Sequence, residues 1–262
     1  MDKALDNMRA PSLPVHVAEC LFLIDDPNVN LDIFLTYVNK DPGLAASVLR
    51  LANSSLYSGF KPTSDLRKAL TRIGIYQFSH ILVGHFLEDQ FKFPEIDYFN
   101  IDLFLKHSIS VSQIAFELAK AANVEDHNDL FISGLFHDIG HLFRIVRNQE
   151  EMESLINKTV FEGCDFSTAE KLLNLQDHGS YAAPFLEKWK LSQEIIFLIS
   201  NHHNVETEEA KNFDSEQIRK LKILSIADKA SLKLSGQTNY KRNTQVNPMD
   251  LDLLGVSKTT FQ

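Results

Sequence analysis

In the run GLFHDIGHL, residues 134–142, His137 and Asp138 set an imidazole beside a carboxylate among apolar neighbours. The apolar spacing from Asp129 to Leu142 predicts a mostly buried helix, in which two ionisable groups need each other, further partners or a metal. Adjacent helical positions point about 100° apart, so both side chains can reach one ion held to one side of the helix. The dipeptide by itself fits a hydrogen-bonded His–Asp pair as well as a metal site.

Other polar residues stand in similar places. His107 interrupts a helix predicted over 99–121, and His178 opens one over 179–189. His202 and His203 close a helix over 192–199, and Asp228 lies inside the apolar run 223–230. Each sits within, or at the end of, a helix that must pack, and together they move the balance toward metal. Imidazole and carboxylate donors without thiolate suit iron or manganese first, zinc or nickel next, and magnesium less well. His16, His80, His85 and His127 have no acidic or imidazole companion at a site-building spacing and read as core or surface residues. His141 lies four residues beyond His137, a spacing that shares a helix face, but Gly140 between them predicts that the helix ends first.

The elements that must position these residues are helical. Apolar residues recur at helical spacing almost throughout, as at Leu44, Val48 and Leu51, and alternating strand patterns are scarce. Asp41-Pro42 predicts an N-cap with proline at the first helical position, and Ser167…Glu170 and Asp214…Gln217 read as capping boxes. The expected fold class is all-α. Pro94, within Lys92–Asp97, predicts a boundary, giving an N-terminal helical region over 1–94, a metal-binding helical region over 95–236 and a C-terminal extension over 237–262.

Of 262 residues, 26 are Lys or Arg and 35 are Asp or Glu, a net charge of -9 that disfavours nucleic acid and anionic lipid as partners. Cys20 and Cys164, two isolated cysteines, indicate neither a disulfide framework nor a thiolate zinc site. The N-terminal stretch MDKALDNMRAPSLP lacks an apolar signal core, and the most apolar window, 73–87, is interrupted by Gln77, Ser79 and His80. A cytoplasmic protein with no membrane association is expected.

The ordered series His107, His137-Asp138 and Asp228 resembles the H…HD…D signature of the HD phosphohydrolase superfamily, and His178, His202 and His203 resemble the additions of its two-metal members. Asp41-Pro42-Gly43-Leu44, Val48–Ser54 and Ala69–Gly74, with Leu13-Pro14 upstream, are similar to the HDOD family, in which a helical N-terminal region precedes an HD-like region. The likeness covers roughly residues 13–232. It implies that His107, His137, Asp138 and Asp228 hold one divalent ion, with Asp138 bridging to a second held by His178, His202 and His203. Two such ions can stabilise the entering and leaving oxygens at phosphorus. Arg50 and Asn53 are expected to tie helices and a helix end together.

Two departures weigh against an active hydrolase. The position after HDxG is commonly lysine in HD enzymes but is His141 here, and nothing after His203 resembles the GYP segment of cyclic-dinucleotide phosphodiesterases. Lys106, Arg144, Arg147 and Lys229 lie near the ligand series, though long basic side chains usually sit in water. The expectation is a bacterial signal-transduction protein of HDOD type with protein partners and a divalent metal site. The alternative is a metal-dependent phosphohydrolase with a phosphate-ester or nucleotide ligand.

Overall fold

The computed structural model describes residues 12–235 apart from 25, 27, 58, 91–98 and 206. The boundary expected within Lys92–Asp97 and the extension expected from residue 237 lie largely or wholly outside the described residues. Contacts divide the chain into two compact units, Met1–Lys92 and Phe93–Gln262. The described residues form twelve α-helices and two short 3-10 turns, an all-α architecture. No helix among them is long and apolar enough to cross a membrane.

The first unit holds α1 (Val15–Phe22), α2 (Asp32–Val38), α3 (Pro42–Ala52) and α4 (Leu66–Gln90). Its core includes Val17, Leu21, Phe34, Val48, Leu70, Phe78 and Leu82, with the Phe34 and Phe78 rings 5.5 Å apart. Asp41 caps α3 as expected, accepting from the Gly43 and Leu44 amides at 2.9 and 3.0 Å. The same carboxylate lies 2.8 Å from His85 Nε2. His85 therefore has the acidic companion that its sequence neighbours do not supply, because the fold joins positions 44 residues apart. Asn53 exchanges two hydrogen bonds with the Thr63 backbone at 2.9 Å, and Arg72 donates to the carbonyls of Ala52 and Lys61. Asn53 thus ties a helix end, whereas Arg50 is exposed. Gly74, at φ 77° and ψ 170°, breaks α4 near its start in a region that disfavours side chains.

The second unit contains α5 (Ile101–Ala121), α6 (His127–Phe136), α7 (Ile139–Arg147), α8 (Gln149–Glu162), α9 (Phe166–Leu172), α10 (His178–Lys188), α11 (Gln193–Asn201) and α12 (Ser215–Ser235). Val111, Ala115, Leu118, Leu130, Leu198, Leu221, Leu224 and Ala227 bring α5, α6, α11 and α12 into one core. His107 lies one turn before Val111 on the buried stripe of α5, and Asp228 one turn after Leu224 on that of α12. Both ionisable groups are carried inward by the apolar residues beside them. Lys220 fastens α12 to Asp126 at 3.2 Å and to Glu194 at 3.1 Å.

The helix expected over 129–142 is two helices. Asp138, at φ -98° and ψ 5°, leaves the helical region, and α7 starts afresh at Ile139. The break precedes Gly140 instead of following it, so His141 belongs to a continuing helix. Gly140 meets a packing need: a Cβ there would stand 1.9 Å from the His178 carbonyl oxygen. Gly179 is similarly close to α11, where a Cβ would stand 2.3 Å from the Ile199 carbonyl.

Candidate metal centre

The seven residues singled out in the sequence come from α5, the α6–α7 break, the start of α10, the end of α11 and α12. His107 Nε2 lies 3.2 Å from His137 Nε2 and 3.1 Å from Asp228 Oδ1, and His137 Nε2 lies 3.3 Å from Asp138 Oδ2. On the other side, His178 Nε2 lies 3.1 Å from Asp138 Oδ1 and 3.2 Å from His202 Nε2. Asp138, His178, His202 and His203 each offer a donor atom within 4.8 Å of the others, as do His107, His137 and Asp138. Asp138 belongs to both sets and turns one oxygen to each.

Local folding aims these rings. His137 follows the last residue of α6 and donates from Nδ1 to the Gly134 carbonyl at 2.9 Å. His202 does the same after α11, donating to the Ile199 carbonyl at 2.6 Å. Each imidazole satisfies a carbonyl that the ending helix leaves without an amide, and the bond leaves the Nε2 lone pair free to face inward. His178 Nδ1 faces Glu170 Oε2 at 3.0 Å, and His107 Nδ1 lies 3.0 Å from Ser231 Oγ. All four rings are thus held by Nδ1 with Nε2 toward the carboxylates, as oriented metal ligands are.

The spacing suits a common centre. Donors about 2.1 Å from one ion, at tetrahedral or octahedral angles, stand roughly 3.0–3.4 Å apart. His107, His137, His178 and His202 are all buried, and Asp138 is 3% exposed against 8% for Asp228. Burial lowers the pKa of His178, but Glu170 and Asp138 outweigh it and take it up to about 10. Burial, reinforced by His178 and His137, takes His202 down to about 3. The cluster therefore favours positive charge on the Asp138–Glu170 side while keeping His202 a neutral donor.

Sequence spacing did not single out Glu170 as part of this cluster, nor Arg144 as its support. Glu170 closes no capping box. Asp165 caps α9 by accepting from the Thr168 amide at 2.8 Å, while Glu170 is buried against His178. Arg144, with no exposed surface, is not a solvated cation: it donates to Glu170 at 2.6 Å, Glu151 at 2.7 Å and the Gln176 carbonyl at 2.6 Å. The signal was available in their positions, since Phe166, Ala169 and Glu170 share one face, as do His141, Arg144 and Ile145. A charge on such a stripe is a buried charge. The His141 ring stacks on His178 at 4.1 Å and meets Phe166 at 4.5 Å. Of the other histidines, His16 packs on Tyr37, His127 on Phe116, and His80 is buried.

Among the described residues the secondary structure is helical, and two of the imidazole–carboxylate groups share Asp138. The HDOD domain model matches residues 10–205, and the chain belongs to the HDOD domain family. A candidate signal-transduction protein of Marinobacter aquaeolei VT8 has a similar fold, with TM-score 0.77 and 22% identity over 100% of this chain and 57% of its own. A candidate phosphohydrolase of Shewanella amazonensis SB2B gives 0.65 and 20% over 97% and 87%. The chain is 23% identical over 200 residues to an uncharacterised protein of Treponema pallidum (strain Nichols), covering 74% of this chain and 38% of that one. It thus spans under two-fifths of that relative's length.

Proposed function

We propose that this chain is a bacterial signal-transduction protein of the cytoplasm, whose second unit holds divalent metal and passes the state of that site to protein partners. His107, His137, Asp138 and Asp228 hold one ion in this reading. His178, His202 and His203 hold another, with Asp138 shared. Iron or manganese suits the donor set best, ahead of zinc or nickel. The observation that carries the reading is the common orientation of the four buried imidazoles, each held at Nδ1 with Nε2 toward Asp138 or Asp228. The family supports the signalling role. His141 in place of a lysine fits it too, because a ring stacked on His178 meets no phosphate charge.

A second reading, hydrolysis of a phosphate ester, is favoured by the two-sided Asp138 carboxylate. Two divalent ions there would neutralise charge developing on a phosphoryl group. Elemental analysis after metal-supplemented expression tests the shared premise. About two equivalents of transition metal are expected, and none would refute both readings. Turnover of a phosphomonoester or cyclic-dinucleotide panel that vanishes in His137→Ala and Asp138→Ala would decide for hydrolysis, whereas loaded but inactive protein decides for signalling.

A further inference from the structure

The first unit holds a cavity of about 390 Å³ where α1, α2, α3 and α4 meet. That volume falls within the roughly 300–1,000 Å³ of small-molecule sites. Leu44, Leu82 and Phe86 are buried and give it an apolar lining. Its polar lining includes His16, Tyr37, Asp41 and His85, whose side chains are fixed by their contacts.

Asp41 Oδ1 accepts from the Gly43 and Leu44 amides, and Oδ2 lies 2.8 Å from His85 Nε2. These bonds, led by the Leu44 amide, outweigh burial and hold the Asp41 carboxyl below its ordinary range. A carboxylate oxygen has two lone pairs, so Oδ2 can take a further donor. The His16 ring packs on the Tyr37 ring with centroids 5.0 Å apart, and the Tyr37 hydroxyl donates to Glu19 Oε2 at 2.7 Å. Among the described residues nothing hydrogen-bonds the His16 ring. Burial lowers its pKa against the pull of Asp41 and Glu19, so the neutral ring offers a nitrogen lone pair.

Lys40 and Asp89, both exposed, also line the cavity, and their formal charges cancel. Asp41 remains, with Glu19 behind the Tyr37 hydroxyl, as negative charge beside aromatic and aliphatic surface. Carboxylates and ring faces both attract an organic cation, whereas an anion would meet like charge. A bare metal ion does not fit, since among the described residues no three His, Asp or Glu donors of this cavity lie within 4.8 Å of one another.

We propose that this cavity binds a small organic cation, a protonated primary amine on an apolar or aromatic body, with its ammonium donating to Asp41 and to the His16 ring. The site lies wholly within the first unit and is independent of the metal-centre reading.

The test is calorimetric titration of the full chain at pH 8 with 2-phenylethylammonium, 2-phenylethanol and 3-phenylpropionate, in a chelating buffer that keeps the amine from any metal. Wild type, Asp41→Asn and His16→Phe are compared, with melting temperatures recorded. Asparagine still caps a helix, and phenylalanine keeps a ring against Tyr37. Wild type binds the ammonium at least tenfold tighter than the alcohol or the carboxylate. Asp41→Asn weakens the ammonium about tenfold and His16→Phe about fivefold, the scale of one polar contact each, and neither changes binding of the alcohol. Wild type that binds none of the three probes overturns the site, and equal affinity for all three overturns the ligand class. Unchanged ammonium affinity in both variants, or equal weakening of all three probes, overturns the ammonium contacts. If Asp41→Asn fails to fold, unchanged affinity in His16→Phe overturns them by itself.

Discussion

Replacing Arg144 by Met separates the role of the Arg144–Glu170 pair in stability from its role in aiming His178. Glu170 is 1% exposed and accepts from Arg144 Nη1 at 2.6 Å, so the change leaves this buried carboxylate with only His178 Nδ1, 3.0 Å away, and removes the donor to the Gln176 carbonyl. Breaking a buried pair from one side costs about 3–5 kcal/mol, because the remaining charge stays desolvated. For a unit of this size each kcal/mol moves the melting temperature by roughly 2–4 °C, so Arg144→Met should melt about 6–20 °C lower after chelation. The double variant Arg144→Met/Glu170→Leu removes the stranded charge too and should recover at least half of that loss. It should not recover metal binding: His178 Nδ1 then lacks its Glu170 partner, and loss of such a partner weakens metal affinity about 10–100-fold. Differential scanning calorimetry and competition against a chelating dye read the two effects. An Arg144→Met protein melting within 2 °C of wild type, or a double variant with wild-type Mn²⁺ affinity, refutes the reasoning.

Gly140→Ala should fail to accumulate as soluble protein or lose at least about 3 kcal/mol, since its Cβ would overlap the His178 carbonyl. Gly59→Ala, with nothing within 4 Å of the added atom, should stay within about 0.5 kcal/mol in the same denaturant titration. Burial takes His80 down to about 3, against roughly 6.5 when unfolded, so its contribution is intact above pH 6.5 and is lost as pH falls toward 3. Between pH 6.5 and 4 wild type should lose about 3 kcal/mol relative to His80→Leu, and parallel stability curves would show that this group does not drive the loss. Asp41→Ala should cost about 1 kcal/mol by urea unfolding through the α3 cap, a destabilisation absent if water replaces the carboxylate without loss.

What the sequence disclosed follows the distance over which each signal acts. Helical periodicity and the Asp41-Pro42 and Asp214…Gln217 caps are local, and both caps form, the latter with reciprocal bonds of 2.8 and 3.1 Å. The clustering of the candidate ligands was legible because His107 and Asp228 continue apolar stripes, which fix the direction of a side chain before its partners are known. The break at Asp138 was hidden because apolar spacing runs through it, and it is imposed by tertiary geometry: His137 caps α6 through its ring, while Gly140 must admit the α10 backbone. Glu170 shows the remaining difficulty. Its spacing from Ser167 satisfies a local rule, yet a buried arginine on another helix and a histidine eight residues on compete for the carboxylate. The charge-assisted contacts are worth more than a cap, and the cap passes to Asp165. A local motif lying on a buried stripe is therefore weak evidence for its local function. The same logic accounts for Arg144, a basic residue placed on such a stripe whose guanidinium is spent on structure.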